Sequence, residues 1–198
     1  MTAHPSPAVP RDVEIRSSAA SAAGRLEGGS ISPETFKAVF RGHPGGVAVI
    51  TAHGEDGPVA LTASSVSSVS VDPALLIFSV SAQSSAAPAI TAAQTIVVHL
   101  LDAGDAALAR LGATSGVDRF ADASTWARLP TGEPVYAGVR AWVRCAIVSR
   151  MEAGDSTVVA ARALQAHIER DVDPGHHGDA LVYHNRNWHR LSDDSRLR

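Results

Sequence analysis

The run Thr62-Ala63-Ser64-Ser65-Val66-Ser67-Ser68-Val69-Ser70, continued by Val71-Asp72-Pro73 and an apolar stretch from Leu75 to Ser81, decides how this chain is read. Small hydroxyl residues fill a segment flanked by strand formers, which sets it beside a core. Ser64, Ser65, Ser67, Ser68 and Ser70 let backbone approach a flat ligand closely and supply donors and acceptors without bulk. The edge of a fused heteroaromatic ring needs that combination. The same composition also fits an exposed serine-rich strand or an ordinary connection.

Working outward, short strand-like runs surround the segment. Val47 to Thr51 and Val59 to Ser64 precede it, separated by the turn-rich H-G-E-D-G-P, and Leu75 to Ser81 follows. Upstream, Ser32 as N-cap, Pro33 at the first helical position and the apolar Phe36, Val39 and Phe40 predict a helix ended by Gly42 and Pro44. Downstream, residues 88–94 and 105–111 read as helices around the β-branched run 95–101. Residues 120–136, with Pro130, Gly132 and Pro134, read as a long loop with one helical turn near Trp126. The final third returns to strands at 141–151 and 157–169, joined by E-A-G-D. A hairpin over 181–191 turns around H-N-R-N. Six or seven strands with so few crossover helices predict an antiparallel barrel that closes on itself and removes its edges.

Length allows one full domain: residues 32–192, with an N-terminal arm over 1–31 rich in Pro, Ala, Ser and Gly and a short tail at 193–198. The formal net charge of −3 offers no basic field for a phosphate backbone, which argues against nucleic acid. No apolar run approaches the roughly 20 residues needed to cross a bilayer, and no leader-like segment opens the chain, so a cytoplasmic protein is expected. Cys145 is the single cysteine and reads as a small buried residue. His176, His177, His184 and His189 match no zinc spacing and read as loop histidines, so no metal is expected. No G-x-S-x-G elbow supports a hydrolase. Trp142, Trp188 and Tyr183 read as core or barrel-end packing.

The order of these pieces resembles the flavin reductase-like, FMN-binding family of short-chain NAD(P)H:flavin oxidoreductases. A helix leads to G-V-A-V-I-T at 46–51, where that family has G-V-x-V-x-T. Then comes the 62–70 segment running into Asp72-Pro73, and a polar turn at Gln83, Ser84 and Ser85. An I-V-V-H-L-L strand at 96–101, D-R-F at 118–120 and G-x-P at 132–134 follow. The resemblance covers residues 33–191. It implies a mainly β fold with inserted helices, an antiparallel Greek-key split β-barrel. It also implies FMN or FAD as cofactor and NADH or NADPH as hydride donor. A homodimer, and a flavin-dependent monooxygenase partner that takes up reduced flavin, follow from the same likeness.

By the resemblance, Thr62, Ala63, Ser64 and Ser65 line the isoalloxazine and ribityl side, with Ser67 and Ser70 in the same segment. Gln83, Ser84 and Ser85 lie near the flavin phosphate. A turn ending at Ser85 before a helix would aim free N–H groups at an anion, and helix capping by either serine is the plainer use of the same residues. Phe120, with Trp126, is a candidate to cover the flavin. Family members carry G-D-H in the late turn; here Gly154, Asp155 and Ser156 stand there. Asp155 and Ser156 are therefore candidates for the nicotinamide side or simply the ends of a hairpin turn. His99 replaces the usual asparagine and Ala74 the second proline. No catalytic nucleophile is expected, because the cofactors carry the electron chemistry. The competing reading is a flavin-binding carrier or sensor that turns over NAD(P)H poorly; a deazaflavin-dependent relative on the same barrel is a third.

Overall fold

The computed structural model describes residues 29–168 and 179–197. Most of the predicted N-terminal arm, His176 and His177 therefore lie outside the described residues. The expected first helix is present as α1 (Pro33–Arg41), with the Ser32 hydroxyl accepting the Thr35 N–H at 3.1 Å. After it the chain is mainly β: β1 (Gly45–Gly46), β2 (Ala48–Gly54), β3 (Gly57–Ala63), β4 (Ser67–Val71) and β5 (Ala74–Ser81). The short helix α2 (Ala87–Ala92), β6 (Thr95–Leu100), a 3-10 turn at Ala103–Asp105 and α3 (Ala106–Ala113) lead into the last elements. These are β7 (Trp126–Arg128), β8 (Pro134–Tyr136), β9 (Ala141–Ala153), β10 (Ser156–Ile168), β11 (Ala180–His184) and β12 (Asn187–Leu191). Among the described residues, no helix is long and apolar enough to cross a membrane.

The main sheet runs β3-β2-β6-β9-β10-β5-β4, every neighbouring pair antiparallel. Its two edges, β3 and β4, are consecutive in sequence and joined by only Ser64, Ser65 and Val66. No ladder connects them, so the sheet is not the closed barrel expected from the sequence. The reason is local. β4 folds back on β5 through the turn at Asp72–Pro73, with a bulge between Ser68 and Ser70, and the link spends its Ser65 hydroxyl on Ser79 of β5. The sheet nonetheless curves round one core: Leu61 and Ala63 from one edge share a cluster with Phe78 and Val80 from the strand beside the other edge, and with Ile50, Ile96, Cys145 and Val159.

β2 is buried on both faces, which explains its continuous apolar run in place of alternation. Ala48, Ile50 and Ala52 face the first core, while Val47 and Val49 face a second one containing Leu101, Ala109, Phe120, Tyr136 and Leu181. That second core is roofed by α3 and by the small sheet β1-β11-β12. α3 reaches β3 only because position 112 is glycine. A Cβ there would lie 2.4 Å from the Thr62 hydroxyl oxygen.

The segment 120–136 departs from the expected loop and helical turn. Trp126 to Arg128 pair with Pro134 to Tyr136 as a small hairpin. Leu129 donates its N–H to the Glu133 carbonyl at 2.9 Å across the tip. A two-strand ribbon this short stands only when fixed from outside, and His99 and Thr51 do that here. Elsewhere the strand predictions hold to within a few residues, including the β11–β12 turn, where Asn185 and Arg186 both adopt left-handed backbone.

Candidate functional site

Ser65 makes the first contact of the site. Its hydroxyl accepts the Ser79 N–H at 3.0 Å and donates to the Ser79 carbonyl at 3.3 Å, so the link between the sheet edges is tied to the outward face of β5. Phe78 and Val80 point inward, and Ser79 and Ser81 therefore present their side chains outward along one rim. Ser81 lies opposite Ser156 in the β5–β10 register, and the Ala82 N–H donates to the Asp155 carbonyl at 2.9 Å. The Ser156 hydroxyl donates to the Asp155 carboxylate at 3.2 Å. Above it the Gln83 N–H donates to the Ser81 hydroxyl oxygen and the Ser84 N–H to the Ser81 carbonyl. The fold thus gathers Ser65, Gln83, Ser84, Asp155 and Ser156, predicted from three separate segments, around the end of β5.

The remaining predicted residues divide. Ser64, Ser65 and Ser67 line a cavity of about 680 Å³ on the α1 side of the link. Gly45 runs along its wall so closely that a Cβ would meet the Ser64 carbonyl oxygen at 2.6 Å. Ser70 is half-buried opposite Leu75, beyond the bulge. The Thr62 hydroxyl is committed to the Ala109 carbonyl at 2.7 Å and the Ala63 side chain belongs to the core. What these two residues offer a ligand is backbone.

Ser85 and Phe120 meet at a second, smaller cavity of about 160 Å³, which the Pro58 end of β3, Asp118 and Arg119 also line. α2 begins just after it. The residue at its N-cap is Ala86, with no side-chain capping bond, so neither Ser84 nor Ser85 is used as a cap. The N–H groups of Ser85 and Ala86 make no backbone bond among the described residues. Arg119 donates through one terminal nitrogen to the Thr114 carbonyl at 2.7 Å, yet its Nε is buried without any hydrogen-bond partner. A buried cationic donor left unpaired is costly unless a ligand completes it. Within D-R-F at 118–120 nothing local distinguishes Arg119; the tertiary approach of Ser85 marks it.

The framework behind Arg119 is stiff. Phe120 stacks on Tyr136 with centroids 5.3 Å apart and meets Trp126 edge-on at 5.0 Å. Trp126 Nε1 donates to the Phe120 carbonyl at 3.0 Å, and the Tyr136 hydroxyl donates to the Arg119 carbonyl at 2.8 Å. Burial pushes the Tyr136 phenol up to about 12, so it remains a donor at any working pH. Phe120 itself is 8% exposed; it supports the cavity from below more than it covers a ligand.

His99 holds the hairpin. It is fully buried, its Nδ1 lies 3.0 Å from the Val49 carbonyl and its Nε2 3.0 Å from the Tyr136 N–H. Those partners dictate the neutral tautomer with hydrogen on Nδ1 and an acceptor at Nε2. Burial lowers its pKa to about 4, against a smaller opposing effect of the Val49 bond. Beside it the Thr51 hydroxyl donates to the Pro134 carbonyl at 2.5 Å. Glu133, 3% exposed, receives Arg144 Nε at 2.7 Å and the Thr131 hydroxyl. Burial alone would raise the Glu133 carboxyl. Hydrogen bonds from Thr131, Thr95 and Arg144 together outweigh it and leave the group below the ordinary range.

Known proteins resemble this chain in sequence and fold. A family model described as the flavin reductase like domain matches residues 40–192. The NADH:FMN oxidoreductase of Rhodococcus erythropolis is 39% identical over 155 residues, covering 78% of this chain and 80% of that protein. The crystal structure of a flavin reductase domain protein from Arthrobacter sp. FB24 superposes with a TM-score of 0.75 at 30% identity, covering 83% of this chain and 97% of that one. BorF, the flavin reductase component of a bacterial two-component tryptophan halogenase, gives 0.71 at 30% identity, with 82% and 99% covered. The chain belongs to the flavin reductase like domain family.

The residues present suit a flavin. A flat ring would find hydroxyl and backbone groups at the Ser64–Ser65 link and the Ser79–Ser81 rim. A phosphate at the cavity near Pro58 would meet the Ser85 hydroxyl, the N–H groups of Ser85 and Ala86 and the Arg119 guanidinium, with Asp118 on the same wall.

Proposed function

We propose that this protein is an NAD(P)H:flavin oxidoreductase that transfers hydride from a reduced nicotinamide, NADH in the first instance, to FMN, FAD being the second candidate. A small cavity lined by both Ser85 and Arg119, whose Nε has no hydrogen-bond partner, is the observation that carries the reading, because a cation beside a hydroxyl suits an anionic group there. When bound, the flavin supplies the hydride-accepting chemistry. The chain's own work is positional. Ser64 and Ser65 border the ring with backbone and hydroxyl groups, and Thr62 and Ala63 contribute main chain. Gln83, Ser84 and Ser85 with Arg119 hold the phosphate end. Ser67 and Ser70 shape the same strand, and Phe120 supports the cavity floor. Asp155 and Ser156 orient the nicotinamide from the rim. These residues would bring donor and acceptor together in a fixed orientation, which calls for no protein nucleophile.

In this reading residues 32–192 form a Greek-key split barrel whose split is the seam between β3 and β4. The protein works as a homodimer in the cytoplasm and passes reduced flavin to a partner monooxygenase. The support is the curvature of the sheet around one core and the service of BorF to a halogenase. The test is spectroscopic. Titration with FMN and then anaerobic NADH is expected to bleach the flavin absorption in proportion to NADH added. Binding of FMN without bleaching by either NADH or NADPH would replace this reading with a flavin carrier or sensor.

A further inference from the structure

The cavity of about 680 Å³ on the α1 side of the Ser64–Ser67 link has a cationic and aromatic wall opposite those serines. Lys37 and Arg41, one turn apart on α1, line it together with His43 and with Arg186 from the β11–β12 turn. Phe36 and Phe40 line it too, their rings 4.7 Å apart and each about half exposed. No acidic residue lines the cavity, and among the described residues no carboxylate pairs with Lys37, Arg41 or Arg186. Like charges at i and i+4 repel along a helix face, although Arg41, in the last turn, also complements the helix dipole. The geometry is fixed: the Asn185 N–H donates to the Arg41 carbonyl at 3.0 Å, clamping the turn that carries Arg186 to the end of α1. Gly45 keeps that wall against Ser64.

We propose that this cavity binds the diphosphate and adenosine half of the nicotinamide dinucleotide, with Arg41, Arg186 and Lys37 on the diphosphate and Phe36 and Phe40 against the adenine. The inference rests on the reductase reading. The cavity's position excludes the flavin's own phosphates. Those belong with Arg119 and Ser85 near Pro58–Ala60, and four extended residues, roughly 13 Å, separate Ala60 from Ser64. The AMP half of FAD would leave from that far end. A donor whose nicotinamide sits at the Ser65, Ser81 and Ser156 rim must instead lead its tail away over Ser64 and Ser67, which brings it to the cationic wall. Guanidinium groups bind diphosphate by paired charge-assisted bonds and also stack on purines.

Calorimetric titration of the whole protein with ADP tests the site independently of turnover. Binding is expected, weakening at least about tenfold in Arg41→Gln/Arg186→Gln, the loss of two charge-assisted contacts, and weakening with added salt. Saturating FMN should leave ADP binding intact. In kinetics the same variant should raise the KM for NADH by about tenfold while the KM for N-benzyl-1,4-dihydronicotinamide, which has no phosphates, stays within about twofold. Unchanged FMN affinity in the variant shows that it is folded. Absence of ADP binding to the unmodified protein, an unchanged affinity in the variant, or displacement of ADP by FMN would each overturn the proposal. If ADP binds as expected but NADH is never oxidised, the site stands and the reductase reading falls.

Discussion

The Ser65 hydroxyl is bonded in both directions to the backbone of Ser79, at 3.0 Å to its N–H and 3.3 Å to its carbonyl. It stands where a ladder between β3 and β4 is missing, and among the described residues it is the side chain that hydrogen-bonds the link to β5. Ser65→Ala should cost only about 1 kcal/mol of stability, since water can reach both freed groups. It should loosen the link enough to raise the FMN dissociation constant about threefold to tenfold. Urea unfolding alongside flavin fluorescence quenching separates the two effects. An unaltered FMN affinity would show that the link is not part of the flavin site.

Arg119 offers a sharper contrast between ligands. Arg119→Met keeps the aliphatic bulk and removes the cation, so affinity for FMN should drop by tenfold or more, about one charge-assisted bond. Riboflavin, which lacks the phosphate, should bind the variant and the unmodified protein alike. Equal losses for both ligands would mean that Arg119 acts through the fold alone.

His99 gives a pH dependence whose sign is fixed by its partners. The unfolded chain takes up the proton near 6.5, whereas the folded chain resists it until about 4. Stability from this residue is therefore complete above pH 6.5 and declines as pH falls toward 4, by on the order of 3 kcal/mol. Urea midpoints measured at pH 7 and pH 4.5 should differ accordingly. His99→Asn, which can still donate to Val49 and accept from Tyr136, should flatten that slope.

Glu133 and Arg144 are a buried pair in which the carboxylate is the more deeply enclosed partner. Glu133→Gln should destabilise by about 3 kcal/mol, because Arg144 loses its counter-charge while remaining largely covered. The β7–β8 hairpin would loosen with it, visible as faster amide exchange at Tyr136.

Gly112 and Thr62 form a steric couple. Gly112→Ala should cost about 1–3 kcal/mol as the new methyl meets the Thr62 hydroxyl. Combining it with Thr62→Ala should recover part of that loss, a non-additivity measurable in a double-mutant cycle.

Much of this molecule was legible in its residues, for identifiable reasons. Strand periodicity, Pro33 behind Ser32, and H-N-R-N between alternating apolar residues are local signals, and the corresponding elements formed near their expected bounds. The 120–136 hairpin is not legible in the residues because it has almost no propensity of its own; it exists through Thr51, His99 and Tyr136, contacts between residues far apart in the chain. Closure of the barrel was over-read for a similar reason, as strand order cannot tell a hairpin from a bridge between two edges. Among site residues, the hydroxyl clusters stood out by composition. Arg119 did not, since an isolated arginine becomes conspicuous only when its burial and its missing partner are seen together.

The seam between β3 and β4 has a consequence for the life of the protein before it meets a ligand. Each flanking strand leaves one row of amides unpaired, and such rows invite another chain to add itself. The three-residue link brings the two rows together at one end, so a flavin seated at that link, as proposed, would shield part of the surface open to self-association. Cofactor loading would then act as a chaperone: the empty protein should precipitate sooner on storage than the loaded one, and a supply of flavin during synthesis should raise the yield of material that stays dispersed.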